Sequence, residues 1–425
     1  MRPQVLYVTP MFGYPPVGGP RLRTYYTLRA LSRHADVTLY VTQQPDTADR
    51  ERTLEHMCTF CRDVIFPPPL PSPKQSLVRG VLHRTRVGAL LRHARRVAQT
   101  RKPTQAQRGS TLDELRSWVA LHQPDVVWLG FGGISYDLVP LKQLTDTPLV
   151  LETECVWSRF ILRELPFVRD PREHERIVRE GRAKEAEERE AADQVDVTTA
   201  VSSVDAEYFR SLTSHPERVM LLHNVVDVSA YQDAAVADLE QPALVFAGSL
   251  SRGTANVDAA VWLLDDIMPR IWRHRPDVHV YLVGRSPAPE IRRRQGRNVH
   301  VTGEVESIVP FLRAAVATLV PLRWESGTRF KILEAFAAHI PVVSTTLGAE
   351  GLAVEHGRHL LLADNAAAFA SAVLSLIEDA GLRQALVGPA FDLVSSAYDV
   401  SSAERQIAEV LALLGWPAQT AVAPV

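Results

Sequence analysis

The feature that most constrains the fold is an alternation of short apolar runs with helical patterns between residues 243 and 380. The apolar run 243–247 ends at Gly248, as a buried parallel strand does, and apolar residues then recur at helical spacing from Val257 to Ile271. Further strands are predicted at 279–284, 298–301, 316–320 and 341–344, and helices at 331–338 and 366–377. Strands that alternate with helices predict a doubly wound parallel sheet, which binds ligands beyond the carboxyl ends of its strands.

The N-terminal half repeats this pattern. Strands are predicted at 4–8, 36–41, 125–130 and 148–151, and a Gly/Pro-rich loop at 13–20 precedes a helix. We therefore predict an α/β protein with two Rossmann-like doubly wound domains that face a cleft.

The domain boundaries are predicted from composition. Residues 227–241 are small and polar, which is typical of a linker. We therefore assign residues 1–226 to an N-terminal domain and residues 227–400 to a C-terminal ligand-binding domain. Residues 401–425 are expected to form a helix and tail that return to the N-terminal domain.

Composition excludes several classes of protein. The net charge of −2 and the pI near 6.7 exclude a general nucleic-acid binder. No uncharged apolar run reaches the roughly 18 residues of a spanning helix, and the apolar run 5–8 is too brief for a signal peptide. Three cysteines (Cys58, Cys61 and Cys155) suit a reducing compartment, and Cys58 and Cys61 lack a second pair at zinc spacing. We therefore expect a cytoplasmic protein with no metal site.

The strongest local motif is the segment 327–335. Gly327 opens a helix just after a strand, Arg329 lies in its first turn, and Lys331 and Glu334 share one helix face. A cation near a helix N-terminus opposes the macrodipole, which favours an anion there. A surface helix with a Lys–Glu pair is the alternative that this motif leaves open.

The wider context adds a family resemblance. Motif blocks occur in order at 246–249, 256–258, 282–284, 301–305, 327–335, 341–345 and 347–352, with looser landmarks at 18–19, 200–202 and 223–227. In these blocks the chain resembles the retaining glycosyltransferases of family 4, which have the two-domain GT-B architecture.

The resemblance implies that the C-terminal domain holds a nucleotide diphosphate sugar, which is a substrate, so that no cofactor is required. Arg329 and Lys331 resemble the pyrophosphate partners, and Glu334 resembles the ribose-binding glutamate. Val305 and Arg285 are expected on the nucleobase side. The donor-binding set that we carry over is Gly248, Arg252, Asn256, Gly284, Arg285, Val305, Gly327, Thr328, Glu334 and Gly348.

The resemblance implies that the N-terminal domain, residues 1–226, lies on the acceptor side, and this domain supplies further candidates. Glu152 and Glu154 follow the strand 148–151, where the family tends to show Asp and His, and Glu154 is the candidate for a catalytic group near the reacting carbon. Gly18 and Gly19 would let the loop backbone approach donor phosphate or acceptor. A surface carboxylate and an ordinary Gly/Pro turn are the respective alternatives.

The sequence departs from the family pattern at two places. Ser326 stands where a second glutamate is common, with Glu325 one position out of register. Ser249 and Thr254 stand where many members carry Arg and Lys, and Arg252 is the candidate replacement for that charge.

The predicted activity is transfer of a sugar from a nucleotide diphosphate sugar to an acceptor hydroxyl, with retention. It would serve cell-surface polysaccharide, glycolipid or natural-product glycosylation, and the acceptor would be a glycan, a lipid-linked molecule or a small molecule. Two alternatives remain: a sugar-nucleotide 2-epimerase of the same architecture, and a non-catalytic sugar-nucleotide-binding protein.

A basic segment suggests a membrane contact. Residues 64–112 contain no Asp or Glu but ten Lys/Arg, all between Lys74 and Arg108, interleaved with apolar residues. Such a segment favours reversible peripheral binding to an anionic membrane, here the inner face of the plasma membrane. A solvated basic helix is the alternative.

Overall fold

The structure describes most of the chain, with one long gap at residues 67–104. The computed structural model describes residues 2–10, 12–16, 18–43, 47–66, 105–131, 136–232 and 234–417, with 47–49 and 105–110 described through their backbone alone. The basic segment 74–108 therefore lies outside the described residues, apart from the backbone of 105–108. Within the described ranges, no helix is both long enough and apolar enough to cross a bilayer.

Seven parallel strands form the N-terminal sheet. They are β1 Gln4–Thr9, β2 Asp36–Val41, β3 Asp63–Ile65, β4 Val126–Leu129, β5 Leu149–Glu152, β6 Val197–Ala200 and β7 Val219–Leu221. Their order in the sheet is β3-β2-β1-β4-β5-β6-β7.

Six parallel strands form the C-terminal sheet. They are β8 Ala243–Ala247, β9 His279–Val283, β10 Val299–Gly303, β11 Ala317–Val320, β12 Val342–Ser344 and β13 Leu361–Leu362. Their order is β10-β9-β8-β11-β12-β13.

Helices connect the strands in both halves. In the N-terminal half they are α1 Gly19–Leu31, α2 Thr47–Met57, α3 Gln105–His122, α4 Trp157–Leu162, α5 Pro171–Gln194 and α6 Ser203–Leu212. In the C-terminal half they are α7 Ala255–Trp262, α8 Met268–Trp272, α9 Pro289–Arg292, α10 Val309–Ala314, α11 Phe330–Ala337, α12 Ala366–Glu378, α13 Ala380–Ala397 and α14 Val400–Leu413. Short 3₁₀ helices cover Tyr136–Leu144, Leu165–Phe167, Pro216–Arg218 and Val228–Tyr231.

The central strands are buried on both faces. Every residue of β4, β8 and β9 is buried, because helices cover both faces of a parallel sheet. This burial explains why the strands appear in the sequence as continuous apolar runs. The prediction of two doubly wound α/β units is confirmed.

One predicted helix is interrupted. The single helix expected from Val257 to Ile271 is instead α7, a π-helical turn over Leu263–Ile267, and α8. Pro269 lies in the first turn of α8 and has no N–H to donate, so an α-helical ladder cannot pass through it unchanged. The extra residue of a π turn absorbs this break.

The chain crosses between the two sheets twice. The first crossing follows β7, and the second joins α13 to α14, which packs against α1. The two crossings touch: the Val226 N–H donates to the Tyr398 carbonyl at 2.9 Å, and the Val228 N–H donates to Asp399 Oδ1 at 3.2 Å. Gln406 of α14 accepts the His223 N–H at 2.9 Å, which fastens the last helix beside the first crossing.

Candidate functional site

A cavity of about 390 Å³ lies between the two domains. Because β8 and β9 end at its wall, it occupies the carboxyl side of the C-terminal sheet, where doubly wound sheets bind ligands. The residues predicted from the sequence that line it are Gly18, Gly19, Glu154, Gly248, Asn256, Gly284, Arg285, Val305, Thr328, Arg329, Lys331 and Glu334.

Three candidates lie elsewhere. Arg252 is exposed in the turn before α7 and is not among the lining residues. Gly327 (φ +79°) packs behind the lining, where an added Cβ would lie 2.6 Å from the Glu154 carbonyl oxygen. Gly348 packs against the sheet, with 2.5 Å between an added Cβ and Ser344 Oγ. The proposed replacement of charge by Arg252 therefore has no geometric support.

Two glycines shape the C-terminal wall. Gly248 follows β8 and Gly284 follows β9, and the backbone approach between them is close. A Cβ on Gly284 would lie 1.7 Å from the Gly248 carbonyl oxygen, so only glycine fits there. Where β8 and β9 end, the cavity wall is therefore formed by the backbone of these two glycines.

Two helix N-termini meet at the cavity. Helix α1 begins at Gly19 and α11 begins at Phe330, and neither has a side-chain cap. They are in near contact, since a Cβ on Gly19 would lie 3.2 Å from the Phe330 ring. Both ends carry the positive end of a helix dipole, so the space beside them favours an anion.

Lys331 lies in the first turn of α11 and lines the same cavity. Its Nζ donates to Asn256 Oδ1 at 2.7 Å and lies 4.7 Å from the centre of the Phe246 ring. Burial lowers the pKa of Lys331 to about 8, partly offset by the charge of Glu325. An anion bound at the cavity would raise that pKa again.

Arg329 occupies the N-cap position of α11, without a capping hydrogen bond from its side chain, and is only 5% exposed. Its Nη1 donates to the Ser326 carbonyl at 2.7 Å and to the Gly327 carbonyl, whereas Nε and Nη2 are buried with no partner. Burial lowers the pKa of the guanidinium. A buried cation with spare donors is expected to take an anionic or polar ligand.

Glu334 lies one turn further along α11, on the cavity wall. Its carboxylate accepts a 3.2 Å hydrogen bond from the Tyr231 hydroxyl. Burial raises the pKa of Glu334 to about 7, against the effect of that hydrogen bond and of the Lys331 charge. Its remaining oxygen can accept hydrogen bonds from vicinal hydroxyls.

Glu154 faces these groups from the N-terminal domain. Trp157 Nε1 donates to its Oε1 at 2.8 Å, and its Oε2 is buried with no partner. Burial raises the pKa of Glu154 to about 7. A half-buried carboxylate that titrates near neutrality and lines a cleft is suited to proton transfer.

The neighbouring carboxylate has a different environment. Glu152 is 1% exposed and accepts hydrogen bonds from Tyr7 (3.0 Å), Thr27 (2.9 Å) and Trp128 (2.7 Å). Arg23 Nε lies 2.9 Å from its Oε1. Glu152 is therefore fully engaged in the N-terminal core.

The sequence analysis missed Arg23. It lines the cavity, and its Nη1 donates to the Leu222 carbonyl and to Asn224 Oδ1, both at 3.0 Å. Asn224 in turn donates to Thr328 Oγ1 at 2.8 Å, so this chain of contacts joins the two domains. The position of Arg23 after the Gly18–Gly19 turn was the one signal in the sequence, and it does not distinguish Arg23 from Arg21.

The departure at position 326 has a structural explanation. Ser326 Oγ accepts the Val156 N–H of the opposite domain at 3.3 Å. Glu325 lines the cavity, and its charge acts on both Lys331 and Arg329. The carboxylate that lies one position out of register in the sequence is therefore still at the site.

One group of residues could share a metal ion within the described ranges. Glu240, His279 and His300 place ligand atoms within 4.8 Å of one another. His279 is the first residue of β9, whereas the cavity is lined by Val283 at the other end of that strand. This group is therefore separate from the cavity.

Comparisons with known proteins agree with this geometry. Residues 241–379 match the family model described as Glycosyl transferases group 1. A phosphatidyl-myo-inositol mannosyltransferase of Mycolicibacterium smegmatis is 28% identical over 200 residues, which are 44% of this chain and 50% of that protein. The chain spans about half the length of the curated relatives that it matches.

Solved structures match over nearly the whole chain. Anabaena HepE in complex with UDP-glucose has a TM-score of 0.66 and 16% identity, covering 97% of this chain and 100% of that one. Sucrose-phosphate synthase of Thermosynechococcus elongatus has a TM-score of 0.68 and 14% identity, covering 97% and 99%.

The fold is therefore the GT-B architecture of glycosyltransferases. Its C-terminal domain carries the match to the group 1 glycosyl transferases, and the cavity lies between that domain and the N-terminal one.

Proposed function

We propose that this chain is a glycosyltransferase that moves a sugar from a nucleotide diphosphate sugar to an acceptor hydroxyl, with retention of anomeric configuration. The observation that carries the proposal is the meeting of two uncapped helix N-termini with Lys331 and Arg329 at one interdomain cavity. Fixed positive charge of this kind is what a departing diphosphate requires. The family match and the UDP-glucose complex of HepE support a nucleotide sugar as the donor.

Each residue receives a role from its chemistry. As the bond between the anomeric carbon and the phosphate oxygen breaks, negative charge accumulates on the diphosphate, next to Lys331 and Arg329. Glu334 accepts hydrogen bonds from the ribose hydroxyls, and Glu154 faces the reacting carbon from the acceptor side. The acceptor oxygen forms the new bond to the anomeric carbon as its proton passes to the Glu154 carboxylate, and the nucleoside diphosphate leaves with the electron pair of the broken bond. Closure of the cleft excludes water.

The proposal is tested by nucleotide release. Purified protein is incubated with UDP-, GDP-, ADP- and dTDP-sugars, with and without a panel of glycan, lipid-linked and small-molecule acceptors. Release of nucleoside diphosphate that depends on the acceptor, with a glycosylated product, is the expected result. Epimerised nucleotide sugar without an acceptor, or binding without turnover, would instead indicate an epimerase or a non-catalytic binding protein.

Activity is expected to survive an excess of EDTA. The proposed site neutralises the diphosphate with Lys331, Arg329 and helix N-termini, so a divalent ion is not needed for that charge. The measurement is the initial rate with and without chelator, on protein dialysed against EDTA beforehand. Complete loss of activity that magnesium or manganese restores would contradict this prediction.

Reversible binding to anionic vesicles is expected from the basic segment 74–108. Each cation near an anionic surface contributes about 1 kcal/mol, and the attraction weakens with salt as the Debye length falls from ~8 Å at physiological ionic strength to ~3 Å at 1 M. Co-sedimentation with anionic and neutral vesicles would compare wild type with the Arg92→Glu/Arg95→Glu/Arg96→Glu variant. Wild-type protein that stays in the supernatant with anionic vesicles at low salt would exclude a membrane-presented acceptor held in this way.

A further inference from the structure

The loop 325–328 belongs to the C-terminal domain, but the opposite domain holds it. Arg163 Nη1 donates to the Glu325 carbonyl at 2.8 Å, the Val156 N–H donates to Ser326 Oγ at 3.3 Å, and Asn224 Nδ2 donates to Thr328 Oγ1 at 2.8 Å. The loop leads directly into Arg329 and helix α11, which carry the proposed phosphate contacts. The conformation of this loop therefore depends on contact between the domains.

An ion pair between Arg163 and Glu350 also joins the two domains beside this loop. Arg163 follows α4 of the N-terminal domain, and its two Nη groups donate to the two carboxylate oxygens of Glu350 at 2.5 and 2.8 Å. Glu350 follows β12 in the C-terminal domain. The two side chains are 25% and 28% exposed, so the pair is only partly screened by solvent. A bidentate arginine–carboxylate pair has a defined geometry as well as a charge interaction.

The side chain of Arg163 contacts both Glu350 and the loop 325–328. Its Nη1 donates both to Glu350 and to the Glu325 carbonyl. Separation of the domains would break both contacts of Arg163 together. The hydrogen bonds from Arg329 to the Ser326 and Gly327 carbonyls lie within the C-terminal domain and would remain. Of the three residues that donate to the loop from the opposite domain, Arg163 is therefore the one that also forms an ion pair across the domains.

We infer that Arg163 and Glu350 are positioning residues that complete the donor site only when the cleft closes. Neither residue is among those that line the cavity. The pair sets the conformation of the loop 325–328, and through it the place of Arg329 and Lys331 beside the diphosphate. This inference rests on the proposed glycosyltransferase function for its effect on catalysis, although the coupling itself can be measured without turnover.

The test is a charge-reversal cycle with R163E, E350R and the double variant R163E/E350R. Each single reversal places like charges opposite each other and is expected to lower kcat at saturating donor at least tenfold. The double variant restores an ion pair of opposite orientation and is expected to regain at least threefold over either single variant. The control is the exposed pair Glu355–Arg358, reversed in the same way, because it lies within one domain near Glu350.

A second readout does not depend on activity. Amide hydrogen exchange in a peptide that covers 323–331 is expected to speed up at least tenfold in R163E and E350R, to slow again in the double variant, and to match wild type in the control. If wild type turns over no donor, the proposed function fails, whereas this exchange pattern still decides the coupling. Single reversals that behave like the control, or a double variant that recovers neither exchange nor kcat, would overturn the inference.

Discussion

Replacing Lys331 with alanine is expected to lower kcat/KM for the donor by roughly 30- to 1000-fold, on the order of 2–4 kcal/mol of transition-state stabilisation. The ammonium lies at the uncapped start of α11 and is held by Asn256 at 2.7 Å, so its position is fixed before the reaction begins. Preorganised charge of this kind loses little to reorganisation when negative charge develops on the diphosphate. The measurement is the rate of acceptor-dependent nucleotide release.

The same lysine predicts a pH dependence of donor binding. Burial lowers its pKa to about 8 in the free protein, and a bound diphosphate favours the charged form. Below pH 8 the ammonium is already present, so affinity for UDP is expected to be flat there. Above pH 8 binding must take up a proton, so affinity falls by up to about tenfold per pH unit.

Two variants separate charge from structure at this position. Lys331→Met should remove the alkaline fall in affinity, and Arg273→Ala, an exposed cation of the same domain, should leave both rate and pH dependence unchanged. Folded Lys331→Ala protein with wild-type turnover would refute the assignment of the phosphate site.

Replacing Glu154 with glutamine is expected to lower kcat by about 10²- to 10⁴-fold, the usual contribution of a positioned acid or base. Glutamine retains an oxygen that can accept the Trp157 N–H, so the variant removes the charge and keeps the hydrogen bond. Burial raises the pKa of Glu154 to about 7, and the acidic limb of kcat/KM in the wild type should therefore rise as this carboxyl loses its proton.

The two groups together predict a bell-shaped profile. Activity needs Glu154 ionised, above about pH 7, and Lys331 protonated, below about pH 8, so the optimum should lie between these values. Glu334 also titrates near pH 7, and Glu334→Gln is the comparison because its main effect should be weaker donor binding. Glu154→Gln protein with an unchanged kcat and acidic limb would show that this carboxyl is structural.

The fold could be predicted from the sequence because its determinants are local. Helix α11 was expected at 331–338 and runs over Phe330–Ala337, since its apolar face and its preceding glycine lie within a dozen residues. The π-helical turn at Leu263–Ile267 was not predicted, because the apolar stripe continues through it. Strands β3, β6, β7 and β13 were not predicted, because runs of two to four residues show no clear period of their own. Strand β12 is equally short and was predicted because it lies in the motif block 341–345.

The candidate site likewise contains some residues that could be predicted from the sequence and others that could not. Lys331, Glu334 and Asn256 could be named because each follows a strand within one domain, where the topology places it at the cleft. Arg23 and Arg163 could not be named, because their partners Asn224 and Glu350 lie 201 and 187 residues away in the sequence. A single sequence contains no signal for such pairings, which exist only after both domains have folded and met.

The two touching crossings determine how the cleft can open. A single connecting segment would allow one domain to rotate relative to the other in any direction. Here the Val226 N–H donates to the Tyr398 carbonyl, so the two connecting segments are paired with each other. We expect such a paired connection to resist twisting of one domain against the other while it allows bending, so that the cleft opens and closes along one main direction. Closure along that direction would return Gly19 to its place beside Phe330, so the paired connection would determine how the donor and acceptor sides of the cavity realign.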